Sequence, residues 1–187
     1  MILIGLGANL ASARYGPPRR TLAAVLAAMD GDEIQVIARS GWYRSEPVPA
    51  SGQPWFVNAV AALASRLGPM ALLYRLQALE SRFGRARGVR NAPRVLDLDL
   101  LDYDRRRIAT PRLTLPHPRI AERRFVLLPL AELMPVWRHP VLGSTAAQLL
   151  AQLPDGQRVE RLDGRSGIPD RRRRAGPADC AGARRSI

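Results

Sequence analysis

The chain has 187 residues, enough for one ordinary domain with a real core and a short appendage. Its formal charge is +13, all 29 basic residues are arginine and lysine is absent, which excludes a Walker phosphate loop and a lysine-dependent kinase site. The single cysteine, Cys180, excludes a disulfide framework and a cysteine metal site, and no apolar run reaches the length of a membrane span, so a soluble, non-exported, cytoplasmic protein is expected.

Residues 2–8 read as a buried strand closing in Gly5-Leu6-Gly7-Ala8-Asn9, taken as a tight turn; Leu10 keeps the glycines from completing a dinucleotide fingerprint. An alanine-rich, leucine-spaced stretch predicts a helix over 21–29 that starts near Pro18. Residues 34–43 alternate and begin β-branched, a second strand. A loop over 44–54 is marked by Pro47, Pro49, Gly52 and Pro54, and a third strand follows over 56–67, antiparallel to the second because only a loop joins them. Residues 69–83 predict a helix with Pro69 in its first turn and Leu72, Leu76, Leu79 and Phe83 on one face. A basic loop leads into a strand that carries Asp97 and Asp99, then a proline-punctuated segment over 110–118 and helices at about 123–132 and 144–153.

This order of elements predicts an α/β (α+β) chain with a ferredoxin-like βαββαβ core and additional C-terminal helices. Periodicity ends beyond about 157, so the expectation is one domain over 1–160 and a disordered, arginine-rich tail over 161–187. That tail holds eight arginines and three acids, leaving 21 arginines against 13 acids in the body. The basic character therefore belongs to the domain. Codon bias accounts for the choice of arginine over lysine, but not for its clustering.

The carboxylate strand is the most telling segment. A strand repeats every two residues, so Asp97 and Asp99 share one face and Leu96, Leu98 and Leu100 the other. Their Cα atoms stand roughly 7 Å apart, and like charges that close need a cation or arginines beside them. Arginine recurs on both sides, at Arg82, Arg85, Arg87, Arg90 and Arg94 before and Arg112, Arg119, Arg123 and Arg124 after. A hard divalent metal on carboxylates within an arginine-lined site suits a triphosphate, and guanidinium forks match phosphate oxygens better than lysine does. The competing reading is a solvent-facing strand with acids paired to surface arginine. Phe56 and Asn58 also share a face, an aromatic plate beside an amide that suits a flat heterocycle, with Phe125 as a second plate; the plainer account is a core phenylalanine and a satisfied buried amide. His117 lies in the rigid Leu113-Thr114-Leu115-Pro116-His117-Pro118, and Gln77 and Glu80 are neighbours on the second helix.

With these residues in view, the chain resembles the 6-hydroxymethyl-7,8-dihydropterin pyrophosphokinase family of the folate pathway. The matching blocks run in order: Gly5 to Leu10, Trp42-Tyr43-Arg44-Ser45-Glu46-Pro47, Gln53-Pro54-Trp55-Phe56-Val57-Asn58, Pro93-Arg94-Val95-Leu96-Asp97-Leu98-Asp99, and Leu113 to His117. Arg123-Arg124-Phe125 with Leu128-Pro129-Leu130 adds a sixth, so the likeness covers about 3–153. It implies a Mg²⁺-dependent transfer of the β,γ-diphosphate of ATP to the pterin hydroxymethyl oxygen with release of AMP, in folate biosynthesis. By the same resemblance Asp97 and Asp99 ligate two Mg²⁺, while Arg85 and Arg94 assist catalysis and grip phosphate. Gln77, Glu80, Arg87, Arg94, Arg112, Thr114, His117 and Arg123 fall on the ATP side, and Ser45, Val48, Phe56, Asn58 and Phe125 in the pterin pocket. A monomer is expected, with two small-molecule substrates and neither nucleic-acid nor membrane partners.

The chain departs from the family pattern in three places. Asn91-Ala92 stands where Trp-Gly is usual, the basic loop is one residue shorter, and Glu46 replaces a common proline. Two readings from other classes stand beside this one. A basic ferredoxin-like domain could bind RNA through exposed sheet aromatics, and the acid pair could serve another metal-dependent nucleotidyl or glycosyl transferase. Acids at the centre of a basic patch repel a polyanion unless metal is present, which weighs against the first.

Overall fold

A computed structural model describes residues 1–85 and 92–162. Residues 163–187 of the expected tail, the Arg87 and Arg90 positions and Asn91 lie outside the described residues. Strand β1 (Ile2–Ala8) is flanked on both sides: β4 (Phe56–Ser65) and β5 (Asp97–Tyr103) each pair with it antiparallel. Along the other edge of β4 lie two successive strands, β2 (Ile34–Arg39) beside its C-terminal half and β3 (Trp42–Ser45) beside its first residues. A last strand, β8 (Val159–Leu162), pairs with β3, so the sheet runs β5-β1-β4-β3-β8 with β2 also on β4. A separate hairpin is made by β6 (Ile108–Ala109) and β7 (Thr114–Leu115).

Side-chain alternation divides the core. Ile2, Ile4 and Leu6 of β1, with Leu96, Leu98 and Leu100, pack against α1 (Pro18–Met29) and α2 (Pro69–Arg82). Leu3, Val60, Ala62 and Leu101 face the other way, toward α3 (Arg124–Leu133) and α4 (Ala146–Gln152). Helices thus lie on both faces of the sheet. Pro18 and Pro69 each occupy the first turn of their helix, where a missing N–H leaves no bond unmade. Thr145 and Gln148 start α4 with reciprocal side-chain to backbone bonds.

Three expectations need correction. The glycines of Gly5 to Asn9 do not form a tight turn: β1 runs through Ala8, and Gly5 and Gly7 are bonded in the ladder on both sides, Gly7 opposite Asn58 and Asp97, Gly5 opposite Val60 and Asp99. The single strand over 34–43 is broken at Ser40-Gly41. There the Ser40 hydroxyl accepts the Val60 N–H at 3.0 Å, and Glu132 of α3 accepts the Gly41 N–H, so β3 begins afresh and takes in Arg44 and Ser45 from the expected loop. The boundary at 160/161 falls inside β8, whose residues pair with Trp42 to Ser45.

Candidate functional site

The site lies on the α3 side of the sheet, where β1 carries no side chain beyond Leu3. Leu3 fills that face against α3, but Gly5 and Gly7 leave a hollow over it. A Cβ on Gly7 would sit 3.3 Å from the Asn58 side-chain oxygen. Around this floor stand Asn58 and Phe56 from β4, Asp97 and Asp99 from β5, Ser45 at the end of β3, Val48 and Gln53 from the β3–β4 connection, and Arg123 and Phe125 at the start of α3. The Asn58 amide donates to the Ser45 hydroxyl at 2.9 Å, both buried. Phe56 and Phe125 line this hollow and are only half-buried, which favours the plate reading over the core one.

A second, wider pocket opens on the other flank of β5. Gln77 and Glu80 of α2, Arg85, Arg112, Thr114 and His117 line it. Arg94 and Asp99 line both pockets, so the two meet there, with Asp97 on the first-pocket side. Every candidate site residue except Arg87, which lies outside the described residues, is found in one pocket or the other. Arg123, expected on the ATP side, lines the first pocket; its guanidinium stands 3.3 Å from Asp99 and 5.6 Å from the Phe125 ring centroid.

The acids are held in a ring of cations. Arg94 Nη1 lies 2.9 Å from Asp97 Oδ2 and Arg85 Nη1 2.7 Å from Asp97 Oδ1, while Arg85 also contacts Glu80. Burial pushes the Asp97 carboxyl up, the neighbouring Asp99 adds to this, and Arg94 and Arg85 oppose it. Burial also works against the Arg85 cation, but the Asp97 and Glu80 carboxylates outweigh it and raise its pKa. Glu80, 7% exposed, accepts the Leu98 N–H at 2.7 Å on the free edge of β5; burial pushes its carboxyl up to about 7. His117 is lowered, first by burial and then by Arg123 and Arg119 against the pull of Asp99, so it is neutral at pH 7. Its Nδ1 accepts the Arg119 N–H at 3.1 Å, which leaves the proton on Nε2.

Among the described residues no group of three or more His, Cys, Asp or Glu side chains is placed to hold a metal. Two neighbouring carboxylates among arginines fit instead an ion completed by phosphate oxygens and water, as Mg²⁺ prefers. The sequence had given no role to Asn9, which joins Arg94 to Gln53 and Pro54, or to Tyr74, whose hydroxyl takes a bond from Arg112 at 2.8 Å. The block Gly5 to Leu10 had flagged Asn9 without a mechanism.

The architecture is thus a mixed α/β domain, largely antiparallel in its sheet, with a two-chambered site. The family model for 7,8-dihydro-6-hydroxymethylpterin-pyrophosphokinase matches residues 3–135, and the chain belongs to that family. It is 42% identical over 164 residues to the 2-amino-4-hydroxy-6-hydroxymethyldihydropteridine pyrophosphokinase of Pseudomonas aeruginosa, covering 87% of this chain and 97% of that one. To the enzyme of the same name from Synechocystis it is 41% identical over 154 residues, 81% of this chain and 75% of the other. Among solved structures, wild-type Plasmodium falciparum HPPK-DHPS superposes with a TM-score of 0.59 at 12% identity, covering 81% of this chain. This chain spans only 43% of that longer one, and the likeness bears on the fold alone. No described helix is long and apolar enough to cross a membrane.

Proposed function

We propose that this protein transfers the diphosphate of ATP to the hydroxymethyl oxygen of 6-hydroxymethyl-7,8-dihydropterin, releasing AMP, in folate biosynthesis. The observation that carries the reading is the position of Asp99 and Arg94 on the wall common to both pockets. A reaction between two bound substrates needs its charge-handling groups where the substrates meet.

The pterin stacks between Phe56 and Phe125 over the bare floor of Gly5 and Gly7, with its edge read by Asn58, itself oriented by Ser45, and with Val48 closing one side. ATP occupies the second pocket, with Gln77, Glu80, Arg112, Thr114 and the Nε2–H of His117 on the nucleotide side and Arg87 completing it. Arg85 and Arg94 grip the transferring phosphates, and Arg123 stands beside Asp99 to neutralise charge on the transferred group. Asp97 and Asp99 would hold two Mg²⁺, and ions bound there would neutralise the triphosphate and help orient the attacking hydroxyl. Closing arginines over phosphate also excludes water, so the diphosphate goes to the pterin and not to solvent.

All these groups except Arg87 come from the described part of one chain, which supports action as a monomer, and a single cysteine suits a reducing cytoplasm. We also read the core as ferredoxin-like; the order β5-β1-β4 with β2 and β3 on the outer edge, and α1 and α2 together on one face, supports it. The deciding experiment is product analysis with Mg²⁺, ATP and the pterin. AMP appearing only with the pterin is expected; ADP, or turnover indifferent to the pterin, would falsify the reading.

A further inference from the structure

Gln157 stands just before β8, beyond the residues that match the family model, yet its amide reaches the heart of the site's wall. Its Oε1 accepts the Arg124 N–H at 2.9 Å and its Nε2 donates to the Glu122 carbonyl at 2.8 Å. The N-terminus of α3 has no side-chain cap from Arg123, so Gln157 supplies one from elsewhere in the chain. Arg123 lies between the two clamped groups, and Phe125 follows at once. These are the guanidinium beside Asp99 and the ring that lines the first pocket.

The next residue holds the opposite wall. The Arg158 carbonyl accepts the Glu46 N–H at 3.2 Å and its guanidinium lies 3.2 Å from the Glu46 carboxylate, one residue from Ser45. Residues 156–159 also line a cleft that shares Ser45, Val48 and Phe125 with the first pocket. The exposed Arg158 ion pair adds little on its own, so the argument rests on Gln157.

We propose that Gln157 is a positioning residue for the heterocycle pocket: by clamping the backbone on either side of Arg123 it fixes Phe125 and Arg123 at the spacing the pterin requires, with Arg158 tying the facing wall to the same short segment. In its ligand this rests on the pterin reading above; in its geometry it does not. A purely structural role would weaken both pockets together, whereas a clamp on one wall weakens the first and spares the second.

The test compares wild type, Gln157→Ala and Gln157→Glu, the last keeping an acceptor for Arg124 while losing the donor to Glu122. Binding of hydroxymethyldihydropterin and of a nonhydrolysable ATP analogue is titrated separately, and hydrogen exchange of the Arg124 amide is followed by NMR. For Gln157→Ala we expect pterin affinity to fall about tenfold, nucleotide affinity to stay within about twofold, and Arg124 exchange to accelerate about tenfold. Gln157→Glu should fall between, and it serves alone if the alanine variant does not fold. Unchanged Arg124 exchange, or equal losses for both ligands, overturns the clamp. If wild type binds no pterin, the functional reading falls and the exchange result alone decides the clamp.

Discussion

The side-chain oxygen of Asn9 accepts the Arg94 N–H at 2.7 Å, and the Arg94 carbonyl in turn accepts the Asn9 N–H at 3.0 Å. The buried amide also donates to the Pro54 carbonyl at 3.2 Å and to the Gln53 side chain at 3.3 Å, two and three residues before the strand that begins with Phe56. One side chain thus joins the arginine beside Asp97 to the approach to the first pocket.

Asn9→Asp keeps the acceptor facing Arg94 and removes the donor facing Pro54. Steady-state kinetics should show KM for the pterin up about tenfold with KM for ATP little changed. Asn9→Ala loses all three side-chain bonds and should lower kcat as well. Identical kinetic constants in the two variants would rule out this division of labour.

Asp97→Asn and Asp99→Asn retain shape but lose charge. AMP release should drop on the order of 10²–10³-fold in each, with the circular dichroism spectrum unchanged. Activity within a few-fold of wild type would remove the acid pair from the reaction.

Phe125→Leu keeps apolar volume but removes an aromatic face. Pterin binding should weaken about threefold to tenfold, in line with stacking energies, while titration with an ATP analogue should be unaffected. An equal loss on both sides would mean that Phe125 supports the domain and not the heterocycle.

Glu80 sets a pH dependence of stability. Burial, with Asp97 adding and the Leu98 N–H and Arg85 opposing, raises its carboxyl from 4.5 to about 7. Between those values the folded chain keeps a proton that the unfolded chain releases. Its stabilising contribution is therefore whole below about 4.5 and lost as pH rises through about 7. Glu80→Gln still offers an oxygen to Leu98 but cannot titrate. In urea unfolding, wild type should lose on the order of 1–3 kcal/mol more than the variant between pH 5 and pH 8; parallel profiles would count against a buried, titrating Glu80.

What could be read from residues alone was what local periodicity encodes. Asp97 and Asp99 fall on one strand face and Phe56 and Asn58 on another because a strand repeats every two residues, and Pro18 and Pro69 mark helix starts because proline fits there. The strand break at Ser40-Gly41 was hidden because its cause, Glu132, lies 91 residues further along. β8 was hidden because four residues, Val159–Leu162, carry too short a pattern and gain their pairing from β3. The glycines of β1 were misread for a related reason: glycine signals a turn locally, and only the strands on either side of Gly7 reveal that the absent side chain makes room.

That bare stretch of β1 makes the pocket's variability one-directional. No amino acid is smaller than glycine, so every substitution at Gly5 or Gly7 raises the base and none lowers it. A lineage adapting this pocket to a bulkier guest has to work from the sides, at positions such as Val48, Phe56 and Phe125, while the base stays fixed. The same limit applies to evasion of an inhibitor: one that rests its weight on the β1 backbone leaves only substitutions that crowd the natural guest as well.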